Sequence, residues 1–222
     1  MCTKHWICII VLKLINILTN PLYAQIDTIF WFAAPAITTA NNNSFRTPIS
    51  FNISSYNLDA IVTISQPSGN MITRVVSVLA NSTLIVDLSN EIDEIECSGA
   101  DMALNKGIKI SSTVPISVYY ENSSIGSPEL FVLKGRNSLG FDFWISSQNK
   151  LDNSNLFSPS FSSFNIVAIN DFTIINITPS TDIIGHLANS TFSITLHKGQ
   201  CYVCLLYTSP SPRDRTRSRM PS

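Results

Sequence analysis

Histidine is scarce in this chain. Of three in 222 residues, only His186 and His197 lie beyond the N-terminal leader, and both fall beside loops or strand ends. A metal site or a Ser/His nucleophile needs several such groups brought together, so neither is expected. The G-x-S-x-G pattern is missing too. Gly135-Arg136-Asn137-Ser138-Leu139-Gly140 has the wrong spacing and no helix after it, and reads as a strand connection. Glu91, Asp93, Glu94 and Glu96 could offer oxygen ligands to Ca²⁺. They lack the alternating spacing and glycine of a calcium loop, and are read as a solvated acidic loop. No two carboxylates are forced to face each other, so no glycosidase pair is assigned. The sequence predicts no catalytic residue, no cofactor and no metal.

Helical periodicity is almost absent, and cysteine is sparse once the two ends are set apart. Met1–Gln25 has the form of a secretory signal: Lys4 and His5, then an apolar core from Trp6 to Leu18, then Leu22-Tyr23-Ala24. Cleavage is expected between Ala24 and Gln25, with a retained signal anchor as the alternative. Lys13 divides the apolar run and leaves it short of the roughly 20 residues that a membrane-spanning helix needs. The expected address is secreted or cell-surface, with no membrane span in the mature segment.

At the other end, Cys204–Asp214 reads CLLYTSPSPRD and RTRSRMPS follows. Those eleven residues, and Ser218–Ser222 after them, match the translation of a transposon-type sequencing adapter on both sides of its index. Cys204–Ser222 is therefore expected to be adapter-derived rather than native, and is left out of the sequence-based fold reading. The native chain is expected to continue past Val203 into further domains.

Setting both ends apart changes the charge. Without Lys4, Lys13, Arg213, Arg215, Arg217, Arg219 and Asp214, the 14 basic and 15 acidic residues become 8 and 14, a net charge of −6. An acidic surface repels phosphate, so nucleic acid is not an expected partner. Of five cysteines, Cys97 and Cys201 remain. In an exported protein they could pair across a long loop or stay as two thiols; both readings are open.

What the chain does have is period-two alternation. Its centre is Asn105–Tyr120, NKGIKISSTVPISVYY, where Ile108 and Ile110 alternate, Thr113-Val114-Pro115 interrupts, and Ile116, Val118 and Tyr120 resume. Strands are also predicted at Thr28–Phe32, Ile49–Ile53, Ala60–Gln66, Thr73–Leu79, Ser82–Leu88, Phe141–Ser146, Asn165–Ile169, Thr173–Thr178 and Thr191–Leu196. Short strands with Pro, Gly, Ser and Asn turns between them predict an all-β, antiparallel sandwich-like fold. The segment Leu79-Ala80-Asn81-Ser82-Thr83 returns 108 residues later as Leu187-Ala188-Asn189-Ser190-Thr191. This echo raises a division of the 25–203 domain into two similar β subdomains, 25–104 and 105–203.

Two aromatic clusters, Phe30-Trp31-Phe32 and Phe143-Trp144, invite sugar stacking, although core or edge packing is the expected use of both. Sequons stand at Asn42, Asn52, Asn81, Asn122, Asn176 and Asn189.

In order, Asp27–Pro35 (DTIFWFAAP), Val62–Pro67, NKGIKISSTVPISVYY, Leu139–Phe143, Ile166–Ala168, Thr173–Pro179 and Leu196–Gln200 resemble the N-terminal domain family of IgGFc-binding proteins, in the version found in large exported bacterial proteins. The resemblance implies an extracellular binding or adhesion module heading a longer chain, with an unidentified protein or glycan as partner and no catalytic residues. Immunoglobulin binding is not carried over. The alternative is an ancillary or spacer domain of a secreted hydrolase whose catalytic part lies elsewhere.

Overall fold

The computed structural model describes residues 25–36, 46–125, 128–146 and 161–207. The expected signal, with Ala24, and the adapter-like residues 208–222 lie outside them, as does Asn42.

The fold is all-β and almost entirely antiparallel, and one strand carries it. Strands β1 (Ile26–Phe32), β3 (Ile49–Ser55), β4 (Ala60–Ser65), β5 (Arg74–Val78) and β6 (Thr83–Asp87) gather around β9 (Ile108–Asn122), joined by β10 (Glu129–Val132). Residues Ile108–Ser111 and Ile116–Ser117 of β9 pair with β1, and Tyr119–Asn122 pair with β10. Lys109–Ser112 pair with β4, while Ile116–Asn122 pair with β3. A strand has two edges only. β1 and β10 therefore share one, and β4 and β3 follow each other along the second. β5 extends β4 and β6 extends β3, so the sheet curls around a single core.

Two strands were expected where β9 is continuous. The chain runs straight through Thr113-Val114-Pro115, where the β1 register shifts between Asp27 and Ile29 and neither β4 nor β3 provides a paired residue. Proline's missing N–H thus falls where no ladder bond was due. Thr113 Oγ1 instead accepts from the Ile61 N–H at 3.0 Å.

Alternation then fills the core. Ile49, Phe51 and Ile53 from β3, Ala60, Val62 and Ile64 from β4, and Ile108, Ile110, Ile116, Val118 and Tyr120 from β9 are all buried there. Phe32, Phe51, Tyr120 and Phe131 form an aromatic cluster with centroids 4.8 to 6.2 Å apart. The acidic run is solvated in part, with Asp93 and Glu94 exposed. Ile92 and Ile95 turn inward on a one-turn helix α1 (Ile92–Ile95), and Glu96, 3% exposed, pairs with Arg46 at 2.6 Å. Burying Ile92 and Ile95 draws Glu96 inside, and a guanidinium compensates its charge.

A smaller sheet orders β11 (Phe161–Val167), β14 (Cys201–Tyr207) and β8 (Met102–Leu104), with a separate β12 (Thr173–Ile177)–β13 (Phe192–Leu196) hairpin. A two-residue parallel pair joins β2 (Ala34–Pro35) to β7 (Glu96–Cys97). β11 was expected at Asn165–Ile169 but begins four residues earlier, because Phe161–Phe164 pair with Cys204–Tyr207. The residues set apart as adapter-like thus begin inside β14. Tyr202 and Cys204 join Leu196 and Ile177 in a second core, and Cys201 and Val203 face a third, smaller one with Cys97. The 104/105 boundary does not separate two sheets, since β9 completes the sheet made by β1, β3 and β4.

The LANST echo is a repeated turn rather than a repeated fold. Asn81 and Asn189 both take φ near +55 to +60 (54 and 59), and the Ala80 and Ala188 N–H groups donate to Asp59 and Asp182 at 2.7 and 2.8 Å. Yet β12 pairs with β13, whereas β4 pairs with β5 and β6 with β3. Asparagine tolerates the left-handed region, which explains its recurrence at this turn. Phe141–Ser146 forms no strand. Phe141 and Trp144 are fully exposed, and the β9 edge that could have paired them is taken by β10.

Candidate functional site

The outward residues of β6, β3, β9 and β10 form the floor of an open groove of about 590 Å³. Cross-strand pairing sets them in rows. Asn52 stands opposite Ile85 on one side and Tyr119 on the other. Ser50 stands opposite Glu121, which faces Leu130 across the next ladder. The same alternation that sends Phe51, Ile53, Val118 and Tyr120 inward sends Asn52, Ser54, Tyr119 and Glu121 out.

The polar groups are held in place. Glu121 accepts from Asn52 Nδ2 at 2.5 Å and from Ser123 Oγ at 2.6 Å, while Ser54 Oγ and Thr83 Oγ1 lie 2.7 Å apart. The Ser123 bond, and then the Asn52 bond, keep the Glu121 carboxyl below the usual range against slight desolvation. Ile85 and Leu130 flank this polar strip with most of their surface open to solvent. The groove offers a fixed anion, hydroxyls, an amide, a phenol and apolar edges. That suits grip on a polyhydroxylated or peptidic surface.

The two histidines do meet carboxylates, but at the surface. His186 Nε2 lies 2.9 Å from Asp101 Oδ1, which also accepts from the Tyr202 hydroxyl, and the imidazole stacks on Phe192 at 3.4 Å. The Tyr202 bond first, and then His186, against partial burial, lower the Asp101 pKa. His197 Nδ1 lies 3.5 Å from Asp171, and its ring meets Phe172 edge-on. No group of three or more His, Cys, Asp or Glu side chains suited to a metal ion occurs among the described residues.

Of the other residues singled out in the sequence, Cys97 and Cys201 come together, with sulfurs 3.0 Å apart and both side chains fully buried. Phe30 is core, whereas Trp31 lies on the outer side with Lys109 Nζ 5.9 Å from its ring centroid. Phe143 and Trp144 do not pack in the core as expected, since no neighbouring strand covers them. Of the sequons, Asn52 lines the groove with its amide engaged by Glu121, and Asn122 is buried, donating to the Arg46 carbonyl. Gln25 sits just before β1.

Sequence reading missed the groove because its residues come from four strands spread between Asn52 and Leu130. The available signal was the wet half of the alternation, where Tyr119 and Glu121 interleave with core residues of β9. No helix among the described residues is long and apolar enough to cross a membrane.

No curated protein sequence matches the chain. A solved structure titled "Crystal Structure of Thermotoga maritima 1070" aligns with a TM-score of 0.33 and 14% identity, over 49% of this chain and 96% of that one. A family model described as IgGFc binding protein matches residues 129–218. The match includes Leu139–Phe143, Ile166–Ala168, Thr173–Pro179 and Leu196–Gln200 and runs on past Val203, whereas Asp27–Pro35, Val62–Pro67 and the β9 stretch precede it. Over residues 129–218, the chain is thus similar to the IgGFc binding protein family.

Proposed function

We propose that this protein is a non-enzymatic extracellular binding module, secreted or displayed at a cell surface at the head of a longer chain, which holds a glycan or a glycan-bearing protein in the β6–β3–β9–β10 groove. The observation that carries this reading is the row Ile85–Asn52–Tyr119 beside the pinned Glu121. A pyranose presents hydroxyls on its rim and C–H groups on its faces. Glu121, Asn52 and Ser54 can satisfy the first, while Tyr119, Ile85 and Leu130 can cover the second. The family name speaks of the Fc region of IgG, and Fc is included below as a competitor ligand.

The test is an array of glycans and mucins, with purified IgG Fc alongside, probed with the full chain and with Tyr119→Ala and Glu121→Gln. Retention of a glycan class that falls on the order of tenfold with either variant, at unchanged unfolding midpoint, supports the reading. Glycan signals that neither variant weakens, or retention of Fc alone, overturn it.

A further inference from the structure

From the way β7 and β14 face each other, we infer that Cys97 and Cys201 are the two halves of a disulfide that clamps the β2–β7 pair to the smaller sheet. The two sulfurs are 3.0 Å apart, inside the contact distance of two unbonded sulfur atoms, and each side chain is 0% exposed. Bonding needs about 2.05 Å between sulfurs, so a shift of roughly one ångström, within side-chain rotation, closes the bond.

The backbone on both sides is fixed. Cys97 lies opposite Pro35 in the β2–β7 pair, and Lys106 Nζ donates to the carbonyls of Asp93 and Glu96, each at 2.8 Å. Cys201 is paired on both flanks, with Leu104 of β8 and Val167 of β11. The hydrophobic residues packed around them are Val203 and the partly buried Ala33, Leu104 and Leu205, and Cys97 Sγ also lies 3.8 Å from the Ile95 carbonyl. Cys204 points the opposite way from β14, into the core formed with Ile177 and Leu196, and is not a competitor.

The sulfurs are also unequal. The bond between them, and then burial, push the Cys97 thiol far up. Cys201 is held below the ordinary thiol value, by that bond first and then, against its desolvation, by Lys106.

The oxidant is a disulfide of low molecular weight or of a thiol–disulfide exchange protein. The Cys201 thiolate attacks one sulfur of that disulfide, forms a mixed disulfide and expels the first thiolate. The Cys97 thiolate then attacks the Cys201 sulfur and expels the second. Two protein thiols lose two electrons, the reagent disulfide gains them, and the two protons end on the released thiolates. Exchange takes place before burial or through local opening, and burial afterwards slows reduction of the bond. The bond closes a loop between positions 104 apart, tying the α1–β7 segment to the central strand of the smaller sheet.

The inference rests on packing and not on the ligand, so its test is run without one. Full-length chain is reduced, unfolded, and refolded in a mixture of oxidised and reduced glutathione. It is then alkylated in denaturant and mapped by fragmentation, because Cys201 and Cys204 are close in sequence. The expected result is a Cys97–Cys201 cross-link, a mass lower by about 2 Da, and Cys204 alkylated. Reductant should then shift the unfolding equilibrium of the wild-type chain on the order of a hundred- to a thousand-fold, and leave Cys97→Ser/Cys201→Ser unmoved. As a second route, independent of refolding, folded reduced chain is treated with diamide and mapped in the same way. Alkylation of both Cys97 and Cys201 on both routes, or a cross-link from either one to Cys204, overturns the inference.

Discussion

Asp27→Asn tests the electrostatics of the fold at one point. Asp27 sits in the first strand, 7% exposed, and its carboxylate takes four bonds from Arg136: the backbone N–H at 2.8 Å, Nε at 2.9 and 3.1 Å, and Nη2 at 2.6 Å. The Thr28 N–H adds a fifth at 2.7 Å. The turn that delivers Arg136 begins at Gly135 with φ +59, where any Cβ would press on Asp27 at 2.4 Å. Burial alone would raise the Asp27 pKa, but the Arg136 side chain and the two backbone donors overcome it and bring the value down to about 2.

A depressed folded pKa means that the carboxylate stabilises the fold above its unfolded value, near 4, and that this support vanishes as pH falls through about 2. The shift corresponds to about 2.5 kcal/mol, and because the Arg136 side chain is largely open to water the expected loss is nearer 1 to 2 kcal/mol. Urea unfolding of wild type and Asp27→Asn should therefore differ by that amount at neutral pH. The gap should hold down to about pH 5, narrow below about pH 4 and close near pH 2. Asp87, Asp101 and Glu121 also have lowered values, so only the difference between the two proteins isolates this carboxylate. A gap unchanged down to about pH 2, or none at neutral pH, would refute the reasoning.

Two further outcomes follow from packing. Gly107→Ala would put a Cβ 2.6 Å from the Gly199 carbonyl oxygen and 2.7 Å from Val167 Cγ2, where the larger and smaller sheets approach. A loss of about 1 to 3 kcal/mol in urea unfolding is expected, and wild-type stability would show that the approach is looser than drawn. Ile110→Ala empties a fully buried position of β9 and should cost about 2 to 5 kcal/mol, whereas Ile85→Ala on the open face should cost well under about 1 kcal/mol. Equal thermal shifts for the two would contradict the inward and outward assignment of the strands.

How much of this was legible varies by element. The runs at Ile49–Ile53, Ala60–Gln66, Ser82–Leu88 and Thr191–Leu196 could be read almost to the residue, because one wet and one dry face impose period two on the side chains. The strand β10 was not legible, since Glu129 to Val132 show little alternation and owe their conformation to the edge that β9 offers. Phe141–Ser146 failed in reverse: it has aromatic strand composition and no free edge to join. The acidic stretch misled because polar residues surround Ile92 and Ile95, and only the fold shows those two turned inward. The groove was half legible, with its outward residues set by alternation and their assembly set by register.

The sequence by itself determined the class of fold and the central place of Asn105–Tyr120, because each follows from which side chains avoid water. Tertiary structure alone decided that β9 is one strand with four different neighbours, that Glu96 and Asp27 are buried against arginines, and that two cysteines 104 positions apart touch. Those are long-range pairings. Hydrophobic periodicity says which face of a strand is dry and leaves open which strand will lie beside it.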